Sequence, residues 1–94
     1  MNNDKAAKSY VTANKMGSNI NLATYTSAKY TTTSDGYATI QGSNNLLQIW
    51  GSDETNYAYI HSKELMQSCF VRKGMKLQVG GTGTLTSANF KPLA

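Results

Sequence analysis

From Leu22 onward, clusters of Gly, Asn, Asp and Ser interrupt the chain about every eight to twelve residues, the spacing of strand-and-turn architecture. Ala23 to Thr33 is rich in Tyr and Thr and ends at Ser34-Asp35-Gly36. Tyr37 to Gln41 follows and stops at Gly42-Ser43-Asn44-Asn45, and Leu46 to Trp50 stops at Gly51-Ser52-Asp53-Glu54. Tyr57 to Ile60 is closed by His61 to Glu64, and Leu65 to Val71 by Arg72-Lys73-Gly74. Met75 to Val79 reads as the return strand of that turn, with Leu77 and Val79 alternating against Lys76 and Gln78. Gly80 to Gly83 turns the chain again, and Thr84 to Lys91 is the last strand, ended by Pro92. Seven short strands predict an all-β domain, a β-sandwich or small barrel.

Size and composition narrow this further. A chain of 94 residues holds one core. Such a domain buries only about 60–65% of its unfolded surface, so association with further subunits would add needed stability. Eleven Thr, nine Ser, nine Asn and eight Gly disfavour helix and suit tight turns. The net charge of +4 comes from scattered side chains, and its longest basic run is Arg72-Lys73, too dilute to demand a polyanion. No apolar stretch approaches the ~20 residues of a membrane span. The Met-Asn-Asn-Asp-Lys start lacks the apolar core of a signal peptide. The expectation is a soluble chain that is not exported by that route and does not insert into a membrane.

The chain divides into an arm, residues 1–21, and a body, residues 22–94. In the arm, Asp4 can cap a short helix running to Met16 with Gly17 as its stop. Ala7, Tyr10 and Asn14 would share one face, too thin a stripe to hold a helix alone. The arm is therefore either mobile or ordered by another chain. Lys5, Lys8, Tyr10 and Lys15 are the side chains through which it would attach.

Catalytic chemistry finds little to work with. His61 is the only histidine and Cys69 the only cysteine, so neither a two-His metal site nor an intramolecular disulfide can form. Cys69 reads as a buried thiol, and its pairing with His61 as a nucleophile has no orienting motif. Asp53-Glu54 lacks the oxygen-rich loop calcium needs and reads as a solvated turn. Gly80-Gly81-Thr82-Gly83 is followed by no helix and cradles no phosphate. No enzyme and no cofactor are expected. Six Tyr, two Phe and one Trp are, however, a heavy aromatic load. Both faces of Leu46–Trp50 and of Tyr57–Ile60 carry large apolar side chains, which either are covered by another subunit or leave tyrosines half-exposed with their hydroxyls in water. Trp50, Tyr57 and Tyr59, with Lys63 nearby, are also candidates to stack on the bases of a single-stranded nucleic acid in a small basic barrel. Against that, the lysines do not interleave with these aromatics in sequence, and Asp53 and Glu54 lie between them, so nucleic acid is not the favoured partner.

Thr33-Ser34-Asp35-Gly36-Tyr37, then Phe70 to Val79, then Gly81-Thr82-Gly83, then Asn89-Phe90-Lys91-Pro92-Leu93 form an ordered series. This series resembles the jelly-roll tips of phage tail fibres, head fibres and related virion proteins, broadly similar to tumour-necrosis-factor and C1q trimers. The resemblance covers roughly residues 22–94, and Met75 departs from the acidic residue usual after Lys-Gly. It implies a small jelly-roll β-sandwich and a homotrimer located in the virion. The arm would then bind a capsid or tail protein, and the knob would act as capsid decoration, head fibre or tail-fibre tip. A host-surface glycan, stacked on Trp50, Tyr57 and Tyr59, is the further partner implied for such a tip.

Overall fold

The computed structural model describes residues 18–93. The expected helix from Asp4 to Met16 and the attachment residues Lys5, Lys8, Tyr10 and Lys15 lie outside the described residues. Among the described residues there are eight strands: β1 (Ile20–Asn21), β2 (Tyr30–Thr31), β3 (Gly36–Gly42), β4 (Asn45–Trp50), β5 (Asn56–Ser62), β6 (Gln67–Val71), β7 (Lys76–Gly81) and β8 (Leu85–Pro92). They form two four-stranded antiparallel sheets, ordered β1-β8-β3-β6 and β2-β7-β4-β5. Among the described residues, no helix is long and apolar enough to cross a membrane.

Alternation builds the core. In β3, Gly36, Ala38, Ile40 and Gly42 point inward while Tyr37, Thr39 and Gln41 face out. In β4, Asn45, Leu47 and Ile49 are the buried set. With Leu22, Val71, Leu77, Val79, Ala88 and Phe90 they fill the space between the sheets, and Phe90 is the largest side chain fully enclosed. Phe90 reaches so close to β3 that a Cβ on Gly36 would stand 2.6 Å from its ring. Glycine is required there by space rather than by backbone conformation.

Several of these expectations need correction. The count is eight strands, and the sheet begins at Ile20, because Ile20 and Asn21 pair with Phe90 and Asn89. Ala23 to Thr33 is not one strand. Its flanking strands lie in different sheets, so residues 23–29 must cross the end of the sandwich, a gap of about 10 Å. Asn21 Oδ1 starts the crossing by accepting the Ala23 N–H, and the Leu22 carbonyl accepts the Tyr25 N–H. Arg72-Lys73-Gly74 is likewise a crossover between sheets and not the turn of a hairpin. Leu65 and Met66, expected in a strand, belong to the crossover before β6. Only β4 and β5 are consecutive strands paired within one sheet.

The crossovers are fixed by buried polar side chains, each of which is satisfied. Thr32 donates to the Arg72 carbonyl at 2.9 Å, and Asn45 donates to the Gly83 carbonyl at 3.1 Å. Ser62 joins the ends of β3 and β5 through Gly42. Asp35 ties three distant segments at one end: its carboxylate accepts the Lys73 N–H, and its carbonyl accepts the Leu93 N–H, both at 2.8 Å. The Asp-Gly-Tyr, Lys-Gly and Lys-Pro-Leu signals are thus one physical cluster.

Candidate functional surface

The β4–β5 hairpin carries all three aromatic candidates. Leu46, Gln48 and Trp50 face away from the core, since Leu47 and Ile49 alternate inward. Register places Gln48 between Gln78 of β7 and Tyr59 of β5, and Leu46 between Gly80 and His61. Trp50 stands beside Lys76, and the register with β5 skips Tyr57 at a bulge. The outer face of this sheet is therefore an amide and aromatic surface: Gln48, Gln78, Tyr59, His61 and Trp50.

Trp50 is the covered member of the trio. Lys29 Nζ sits 4.2 Å above its ring centre, and the indole N–H is buried without a hydrogen-bond partner. Lys29 and Lys76 both reach Glu54, at 3.0 and 3.3 Å. Glu54 adopts a positive φ of 67°, which turns its carboxylate back over the hairpin toward the two ammonium groups. Hydrogen bonds from Lys29 and then Lys76 hold its carboxyl below the usual glutamate range. Asp53 is held low first by the Thr55 backbone N–H, and the Tyr57 hydroxyl also donates to it at 3.2 Å. Tyr57 and Tyr59 are both well exposed. The three candidates thus share one hairpin, but only the tyrosines present open rings.

Lys29 and Lys76 were not legible as part of this group. They lie far from Trp50 in sequence, and the fold brings lysine and aromatic together where the linear order keeps them apart. His61 is exposed on the outer face and bonded to Asn44 Oδ1 at 2.6 Å. Cys69 packs against the core of the other sheet, so the two do not form a catalytic pair. Cys69 is half-buried rather than enclosed, and burial raises its thiol pKa.

A cleft of about 400 Å³ opens between the β1–β2 crossover and the β7–β8 turn, lined by Ala23, Thr26, Asn45, Val79 and Leu85, with no charged side chain. Among the described residues, no three His, Cys, Asp or Glu side chains gather as metal ligands. Searches against family models, curated proteins and solved structures return no match for this chain.

Proposed function

We propose that the protein is a non-enzymatic phage structural protein, a trimeric jelly-roll knob that serves as capsid decoration, head fibre or tail-fibre tip. The carrying observation is the strand order, β1-β8-β3-β6 over β2-β7-β4-β5. This order of eight antiparallel strands supports the jelly-roll reading, an architecture of two Greek keys used by capsid and lectin domains. Three of the four motifs behind the phage resemblance support it, because Asp35 draws them together at one end of the sandwich, while Gly81-Thr82-Gly83 bonds the Asn44 carbonyl. Residues 1–17 precede the sandwich and are the segment that would attach to a capsid or tail protein. Tyr57 and Tyr59, open on the outer face, are suited to stack on a host glycan. Light scattering behind a sizing column tests the reading: a mass near three times 10.2 kDa supports it, and a monomer at high concentration refutes it.

A second reading has its own observation. Lys29 and Lys76 share a face with the open ring of Tyr59, a pairing of cations and an aromatic ring suited to a single-stranded nucleic acid. Salt-sensitive binding of an oligothymidine by a monomeric chain would favour this alternative.

A further inference from the structure

We propose that the open side of the sandwich, formed by the edges of β5 and β6, is the surface on which a second copy of this chain docks. The inference rests on the self-assembling reading above and names its contact surface.

The two sides of the sandwich are unequal. On one side the edge strands, β1 and β2, are two residues long, too short to template another strand. On the other side the edges are β5 and β6, seven and five residues long. Neither contains a Lys, Arg, Asp, Glu or Pro, the residues that ordinarily block pairing along an exposed edge. The sandwich is also unsealed here. Ala58 belongs to the inward set, opposite buried Ile49, yet it is exposed, and Ile60 and Cys69 are only half-buried.

Apolar surface collects along this same side. Among the described residues, the exposed large hydrophobics are Tyr37, Tyr57, Tyr59, Leu65, Met66 and Phe70. Five lie on β5, β6 or the crossover between them, and Tyr37 packs edge-on against Phe70 at 5.5 Å. Tyr57 and Tyr59 flank the open side on the outer face of one sheet, Tyr37 and Phe70 flank it on the outer face of the other, and Leu65 and Met66 lie on the crossover that spans it. Leu65, 71% exposed, is held outward by a built loop. Glu64 takes a φ of +81°, its N–H bonds the Gly42 carbonyl at 2.6 Å, and its carbonyl accepts from Gln41.

Charge selects a second copy as the occupant. The chain carries +4 overall, but from Asn56 to Val71 its formal charges are Lys63 and Glu64, which cancel. Copies meeting here bring no net repulsion, since Lys63 and Glu64 cancel on each of them.

The test measures native mass for the full chain, for Leu65→Asp/Met66→Asp and for Phe70→Lys, with Thr24→Asp on the far side as control. All these positions are exposed, so each variant is checked for wild-type circular dichroism before its mass is read. The expected result is an assembled wild type and control, with both edge variants reduced to 10.2 kDa. A folded edge variant that stays assembled overturns the surface while leaving the assembled knob intact. A monomeric wild type overturns both. Cys69 provides a readout without substitution: its alkylation slows as protein concentration rises if this side is covered. An assembled protein with concentration-independent alkylation overturns the proposal.

Discussion

Removing one oxygen atom from Ser62 should weaken the fold more than its position beside an exposed loop suggests. The residue is fully buried, and its hydroxyl accepts the Gly42 N–H at 3.1 Å. Two carbonyls lie within reach of its single proton, Gly42 at 3.1 Å and Leu65 at 2.6 Å. The Gly42 carbonyl already accepts the Glu64 N–H at 2.6 Å, so the proton belongs to Leu65. In Ser62→Ala the Leu65 carbonyl, in an exposed loop, turns to water at little cost. The Gly42 N–H is buried and loses this acceptor, at about 1–3 kcal/mol. A loss of about 2 kcal/mol corresponds to a Tm lower by roughly 10 °C in a domain of this size. Thermal unfolding followed by circular dichroism measures it, with wild type and variants at one protein concentration because the Tm of any assembling chain depends on it. Ser34→Ala, which removes an exposed hydroxyl, should stay within about 0.5 kcal/mol of wild type. Equal behaviour of the two variants would refute the role assigned to Ser62.

Other perturbations follow from the same geometry. Gly81 has a φ of +99° and its added Cβ would meet the Asn44 carbonyl at 2.5 Å, whereas Gly74, at +90°, faces open space. Gly74→Ala should therefore cost about 1 kcal/mol in urea unfolding, while Gly81→Ala, adding a clash to the same strain, should cost about 3 kcal/mol. Lys29→Ala uncovers the only tryptophan, so emission should shift to the red; an unchanged spectrum would count against the Lys29–Trp50 contact. The lysines depress the Glu54 pKa, so this pairing stabilises the fold above the ordinary glutamate value of about 4.3 and is lost as pH falls through the lowered one. Urea midpoints of wild type and Glu54→Gln should differ at neutral pH and converge in acid; a constant gap would contradict the assignment.

Turns and core faces were readable because each has a local chemical cause. Asp35-Gly36 and Gly42 to Asn45 mark real ends of strands, and Leu77 and Val79 point inward as their alternation says. What local chemistry does not encode is the destination of a strand after its turn. Arg72-Lys73-Gly74 has the length and composition of a hairpin turn, yet it carries the chain into the opposite sheet, because β7 pairs with β2 and β4. Strands of two residues, such as β1, are too short to show any periodicity. The aromatic members of the candidate surface stood out by type. Their lysine partners did not, since Lys29 meets Glu54 across 25 positions of chain. The open edge was written in β5 and β6 as an absence of charge, a signal that gains meaning only once both are known to be edges.

The last of the eight strands lies at the middle of its sheet, between the first and the third. That sheet therefore has no centre until the whole sandwich sequence is available, and its ladders close long loops before any contact rewards them. Folding in the millisecond-to-second range is the kinetic consequence. Only the β4–β5 hairpin can form from neighbouring residues, so β5, with Tyr57 and Tyr59, takes shape while its own core is still incomplete. During that interval a growing chain displays a charge-free strand edge to every other copy nearby. Crowded synthesis should then favour chains that meet before they finish folding, and yield on refolding should fall as concentration rises.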